Sequence, residues 1–132
     1  VTGYRRRHAA KGRSEKLPPL EVWPNQFARN YEITIVVPEY TSVCPKTGLP
    51  DFGELTIRYI PADVCVELKS LKYYLLGYRD MGIFYENAVN RILDDLVAAC
   101  RPRRMSVKGE FNTRGGMRSI VEAQFPPIKT DA

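Results

Sequence analysis

The sequence predicts an α+β domain built on an antiparallel sheet, with two helices packed on one face. Three observations carry this. Apolar and polar residues alternate with period two near both ends of the ordered part. Between those ends the apolar spacing changes to three and four. Proline and glycine separate the segments where each pattern stops. The order is therefore strand, strand, helix, helix, strand, strand, which places two antiparallel strand pairs around a helical centre.

Order is expected to begin near Tyr31. Ile33, Ile35 and Val37 alternate with Glu32, Thr34 and Val36, a strand expected to end at Pro38. A turn-rich stretch from Thr41 to Gly53 follows, punctuated by Pro45, Gly48, Pro50 and Asp51. The second strand runs through Leu55, Ile57 and Tyr59, with Pro61 as its stop. From Glu67 the pattern is helical: Leu68, Leu71, Leu75 and Leu76 share a face that ends near Gly77. The strongest helix carries Val89, Ile92, Leu93, Leu96, Val97 and Cys100, and Pro102 prevents its continuation. Met105, Val107 and Phe111 form the third strand, Asn112 to Gly116 turn the chain, and Ile120 to Phe125 return. No internal repeat interrupts this order.

Composition narrows the function. The 132 residues suit one domain, residues 30–132, preceded by a leader, residues 1–29. No apolar run is long enough to span a membrane. The leader holds seven basic and two acidic residues, and the rest of the chain 13 of each, so the whole net charge of +5 lies ahead of the domain. Rich in arginine and containing Pro18, Pro19 and Pro24, it reads as a flexible extension or as a basic arm for a polyanion such as RNA. The three cysteines, Cys44, Cys65 and Cys100, form no disulfide framework and no zinc pair, which favours a reducing cytoplasm. His8 is the only histidine and lies in the leader, which removes most Ser/His, Cys/His and zinc chemistry from the domain.

Four segments carry residues with chemical potential. In Ser42-Val43-Cys44-Pro45-Lys46-Thr47-Gly48, a thiol lies beside a lysine, and Asp51 follows seven residues after the thiol. A nearby cation favours thiolate and a carboxylate moves protons, but a buried inert thiol and a turn-capping aspartate fit the same spacing. In Glu67-Leu68-Lys69-Ser70-Leu71-Lys72-Tyr73-Tyr74, the lysines are three apart on a helix, either a phosphate clamp or a solvated face. In Gly82-Ile83-Phe84-Tyr85-Glu86, Phe84 and Glu86 suit a base's face and edge, or a helix's first turn. In Phe111-Asn112-Thr113-Arg114-Gly115-Gly116, a hairpin tip presents one arginine.

Together the four segments resemble the 7-cyano-7-deazaguanine reductase family (QueF), in its short single-module form, from about Tyr31 to Phe125. The eight residues from Glu67 to Tyr74 match that family's lysine-bearing signature throughout, and the cysteine and Gly-Ile-Phe-x-Glu segments match as well. The resemblance implies the tunnelling fold (T-fold), in which sheets of several subunits close into a barrel. It further implies a homo-oligomer, expected as two stacked rings, with sites at the subunit interfaces.

The implied activity is reduction of the nitrile of 7-cyano-7-deazaguanine to an aminomethyl group with two NADPH, toward queuosine in transfer RNA. Carried over, Cys44 adds to the nitrile carbon to form a thioimide, and Asp51 supplies and accepts protons. Glu67, Leu68, Phe84 and Glu86 contact the base, the first two from a neighbouring subunit, while Lys69, Lys72 and Arg114 bind the cofactor's phosphates. No metal is implied. Many relatives have histidine where this chain has Tyr85, which donates a hydrogen bond but is no cation near neutral pH, so Tyr85 is expected only to touch substrate. The implied substrate is a free base, so no nucleic acid is required and the leader is expected to be dispensable. Two alternatives stand beside this reading: an amidinotransferase of the QueF-like kind, whose relatives lack the lysine signature, and a non-catalytic RNA-binding module.

Overall fold

The computed structural model describes residues 3–127 and has the expected core order, extended by three short elements. These are α1 (Arg6–Ala10), β1 (Val22–Pro24) and β4 (Val64–Val66). The predicted elements are β2 (Ile33–Val43), β3 (Pro50–Ile60), α2 (Leu68–Leu76), α3 (Tyr85–Cys100), β5 (Arg104–Phe111) and β6 (Ile120–Phe125). β2, β3, β5 and β6 make an antiparallel sheet in that spatial order. Among the described residues, no helix is long and apolar enough to cross a membrane.

Period two decides which face is buried. On β3, Leu55, Ile57 and Tyr59 point inward, and on β5 Met105, Val107 and Phe111 do the same. α3 lays Val89, Ile92, Leu93 and Leu96 over this row, and α2 adds Leu71 and Tyr74. The outer face is polar, with Arg58 paired to Glu32 and Lys108 facing Glu110. The helices are tied together by the Tyr74 hydroxyl, which donates to Asp95 at 2.5 Å and lies 2.8 Å from the Tyr78 hydroxyl.

The ends of the elements also follow from local chemistry. Glu67 caps α2, its carboxylate accepting from the backbone N–H groups of Lys69 at 2.7 Å and Ser70 at 2.8 Å. α3 ends where Arg101 takes a left-handed conformation ahead of Pro102.

Two expectations are corrected. β2 does not stop at Pro38 but continues to Val43, with an irregularity between Val37 and Tyr40. β2 is an edge strand, where a proline lacking an N–H is tolerated at a bulge. The bulge also changes which residues face inward, from Ile33, Ile35 and Val37 before it to Tyr40 and Ser42 after it. The expected turn from Thr41 to Gly53 therefore shrinks to the few residues between Val43 and Pro50, and Asp51 becomes a strand residue opposite Ser42.

The second correction concerns residues 1–29, expected as a flexible leader. From Gly3 on they lie along the domain. Leu17 and Leu20 pack against the core, and β1 pairs antiparallel with β4. The Glu21 N–H donates to Ser70 Oγ at 2.9 Å, and the Glu67 N–H donates to the Glu21 carbonyl at 2.9 Å. Three-residue strands have no readable period, although Leu17, Leu20, Val22 and Trp23 are the apolar residues of this stretch able to dock on a core.

Glycine makes room for Phe111. A Cβ on Gly109 would lie 2.7 Å from the ring's Cζ and 2.9 Å from Val89 Cγ2. Gly109→Ala is therefore expected to cost about 1–3 kcal/mol of stability, as core overpacking does. Urea unfolding of the variant against the parent checks this, with a lower midpoint and an unchanged slope as the expected result.

Candidate active site

The site is assembled at the end of the β2–β3 hairpin. The turn is closed by the Cys44 N–H donating to the Leu49 carbonyl and the Gly48 N–H donating to the Cys44 carbonyl, each at 2.9 Å. Just before it, Val43 bonds a distant segment: its N–H donates to the Met81 carbonyl and its carbonyl accepts from the Ile83 N–H, both at 3.1 Å. This short parallel bridge sets Gly82-Ile83-Phe84 beside Cys44. Gly82 suits the contact, since a Cβ there would lie 3.3 Å from Pro45 Cα.

Cys44 is half-buried in a cleft lined by Lys11, Glu15, Pro45, Lys46, Thr47 and Gly82. Burial raises its pKa, but hydrogen bonds from the Thr47 hydroxyl and N–H, the Lys46 N–H and the Tyr4 hydroxyl outweigh it. The thiol's pKa lies below the ordinary value. Cys100 is the opposite case, buried in the core with its thiol pushed up to about 11 by burial.

Asp51 occupies the first position of β3's inward row, which explains why it is only 6% exposed. Its Oδ1 accepts from the Tyr85 hydroxyl at 3.0 Å and from the Arg114 guanidinium. Tyr85 is held flat against Phe111, with ring centroids 3.8 Å apart and planes within 7°. Burial, then the bond to Asp51, raises the Tyr85 hydroxyl above its ordinary range, so it remains a proton donor to the carboxylate. Arg114 reaches Asp51 from the hairpin between β5 and β6.

The structure thus sets Cys44 and Asp51 at the same hairpin end, Gly82-Ile83-Phe84 beside the Cys44 turn through the Val43 bridge, and Tyr85 and Arg114 on Asp51, while Glu86 stands exposed in the first turn of α3. It does not bring the α2 residues to this place within one chain. Leu68 and Lys72 line a separate cleft between α2 and β2, bounded by Ile35, Val37, Tyr40, Leu71 and Leu75, which shares no residue with the cleft of Cys44. Lys69 and Lys72 are both exposed on α2, and Glu67 is engaged as its cap. Arg114, expected on a cofactor phosphate, is here the ionic partner of Asp51. Sequence reasoning missed Thr47, Phe111 and Tyr4. For Thr47 the available signal was the tight turn around Cys44; for Tyr4 there was none.

A family model described as QueF-like protein matches residues 50–129. A protein of Elusimicrobium minutum, named NADPH-dependent 7-cyano-7-deazaguanine reductase, is 60% identical over 123 residues, covering 93% of each chain. A Chlorobaculum tepidum protein of the same name is 59% identical over 111 residues, covering 83% of this chain and 95% of the relative. Among solved structures, the apo form of the archaeosine synthase QueF-Like superposes with a TM-score of 0.69 at 22% identity. That alignment covers 74% of this chain and 96% of the other, and it shows the fold.

The thiol environments predict an order of reactivity. Iodoacetamide is expected to modify Cys44 in the folded protein, with Cys65 and Cys100 protected until unfolding. Cys100 should react roughly a hundredfold or more slowly near neutral pH, because its thiolate is so scarce. Thr47→Val should slow Cys44 near neutral pH by removing a donor to the thiolate. Peptide mass mapping after timed alkylation reads all three.

Proposed function

The chain belongs to the QueF-like protein family, and from that premise we propose that it reduces the nitrile of 7-cyano-7-deazaguanine to an aminomethyl group using NADPH. The observation that carries this is the convergence of a thiol with a depressed pKa, a buried and doubly held carboxylate and an aromatic ring on one hairpin end. The curated relatives named as reductases at about 60% identity support the same substrate and cofactor, and the family resemblance implies a place in queuosine biosynthesis. The protein would act in the cytoplasm, where Cys44 stays reduced.

Cys44 is the nucleophile. Its sulfur bonds to the nitrile carbon, one electron pair of the triple bond moves to nitrogen, and the nitrogen takes a proton, giving a thioimide on the enzyme. Asp51, reached through the Tyr85 and Arg114 contacts, is the residue that exchanges protons with that nitrogen. A nitrile is a poor hydride acceptor, and a protonated thioimide is a better one, so the thiol's task is to change the electrophile. After one hydride equivalent has reached the carbon, the nitrogen lone pair forms a carbon–nitrogen double bond as the carbon–sulfur bond breaks. Cys44 departs as thiolate, which its hydrogen-bond donors favour, and the resulting imine is reduced by the second equivalent to the amine. Phe84 offers a face to the base, and the Glu86 carboxylate can accept from its amino and ring N–H edge.

The donor set fits a phosphate-bearing cofactor: two exposed ammonium groups three residues apart on α2, and a guanidinium at the mouth of the Asp51 pocket. NADPH, when bound, supplies hydride, and two equivalents take a nitrile to the amine.

Glu67, Leu68, Lys69 and Lys72 lie away from Cys44 in one chain, and among the described residues β6 and, apart from the Val43 bridge, β2 each have an edge that no strand pairs. Both features support a homo-oligomer of two stacked rings, in which these residues complete the site of a neighbouring subunit.

Mixing the protein with the free nitrile and NADPH should oxidise two NADPH per nitrile, read by absorbance of the reduced cofactor. Cys44→Ala should abolish both the adduct and turnover, and Cys65→Ala should leave both. Turnover by Cys44→Ala would refute covalent catalysis. Amidine formation from ammonia without NADPH consumption would select the amidinotransferase instead. A second measurement addresses the shared site. Cys44→Ala and Glu67→Ala proteins, each inactive, should regain a fraction of parental activity when unfolded together and refolded as mixed oligomers; mixtures that stay inactive would confine the site to one chain.

A further inference from the structure

Residues 4–15 are tied to the domain at several points around Cys44. Lys11 Nζ donates to the Pro45 carbonyl at 2.9 Å. Asn87 donates to the Ala9 carbonyl, and the Arg91 guanidinium to the carbonyls of Gly12 and Glu15. Gly12 is buried with φ of +83°, and a Cβ there would lie 2.5 Å from Ile83 Cβ. Only glycine can hold this conformation at this contact without strain. His8, also buried, accepts at Nδ1 from the Arg5 N–H at 3.0 Å and closes the turn of α1. Its pKa is lowered by desolvation and by Arg7, Lys11, Lys46 and Arg5, so the imidazole is neutral near pH 7.

This strap delivers one side chain to the site. The Tyr4 ring packs on Phe84 with centroids 5.8 Å apart and on His8 at 5.9 Å. Lys46 Nζ lies 4.5 Å from its centroid. Its hydroxyl hydrogen-bonds the Cys44 thiol. The ring therefore spans the two groups assigned above to bond formation and base stacking.

We propose that residues 4–15 are part of the active site and that Tyr4 is a positioning residue, its hydroxyl donating to the Cys44 thiolate and its ring screening the Phe84 face. The inference rests on Cys44 as the nucleophile of the proposed reductase. Burial first, and then Cys44 itself, raises the Tyr4 hydroxyl above its ordinary range, so it keeps its proton where Cys44 loses its own. A base stacking on the Phe84 face that Tyr4 covers has to displace the Tyr4 ring, because centroids 5.8 Å apart leave no room for a base between them. The same contact keeps the thiolate hydrogen-bonded until that displacement.

The test is the pH dependence of Cys44 alkylation by iodoacetamide, read by peptide mass between about pH 6 and pH 10 in the parent, Tyr4→Phe and Gly12→Ala. Tyr4→Phe keeps the ring and leaves Lys11, Glu15 and Lys46, the charged groups around the thiol, in place. Gly12→Ala should unseat the strap from Ile83. Both variants should move the midpoint to higher pH, slow alkylation near neutral pH by roughly three- to tenfold, and recover the parental rate at high pH. A Tyr4→Phe profile that superposes on the parent's overturns the proposal. A shift in Tyr4→Phe without one in Gly12→Ala overturns the strap as its carrier. The measurement uses neither nitrile nor NADPH, so its failure is distinct from failure of the reductase reading.

Discussion

The proposed Cys44 site depends on the two hydrogen bonds that Val43 makes with Met81 and Ile83. They join the end of an edge strand to a loop about forty residues later in the sequence, and they do so with backbone groups that side-chain changes leave in place. On one side of the bridge lies the cysteine turn; on the other, the approach to α3. The hairpin register carries the constraint to Asp51, opposite Ser42, and the stack of Tyr85 on Phe111 carries it to the β5–β6 hairpin and Arg114. Residues from three separate stretches meet because one backbone pairing sets the origin from which the others are measured.

The fold was largely legible in the sequence because its large elements have long, regular periods. β3, α3, β5 and β6 follow apolar spacing that matches the buried rows closely, whereas on α2 only Leu71 of the four spaced leucines is buried, with Ser70 and Tyr74 beside it and Leu68 and Leu76 exposed. What was not legible came from tertiary effects. Pro38 reads as a stop, yet an edge strand with a bulge accommodates it, and the bulge changes the inward phase. The burial of Asp51 follows from that phase, so no local signal separated a turn cap from a strand residue under the sheet. Cys44, Phe84, Tyr85 and Glu86 were legible as candidates through segment chemistry and family resemblance, whereas the pairing of Arg114 with Asp51 links residues 63 apart. In residues 17–24 the apolar set Leu17, Leu20, Val22 and Trp23 was legible as able to dock, but the pairing of β1 with β4 was not, because three ladder residues leave no periodic trace.

The Asp51 pocket shows how a carboxylate is kept in a nearly dry place. An isolated buried carboxylate is costly, and two donors on one oxygen offset that cost. Phe111 makes the arrangement possible by supporting the Tyr85 ring, and Gly53 and Gly109 make Phe111 possible by lacking a Cβ. The chain of dependence runs from a missing methyl group to the orientation of a hydroxyl. Stability and site geometry here share the same side chains.

Tyr4, His8 and Gly12 recur at intervals of four in a stretch that is otherwise arginine, alanine and lysine. Tyr4 and Gly12 meet the domain and His8 is buried against the Tyr4 ring, while Arg5, Arg6 and Arg7 are exposed. Tolerance to substitution along this segment is therefore comb-like, with three intolerant teeth separated by permissive gaps. Composition measures see only the gaps, since basic residues dominate the count, and such a segment is discarded as a tail whenever boundaries are drawn by charge. A boundary drawn by the teeth instead assigns residues 4–12 to the domain.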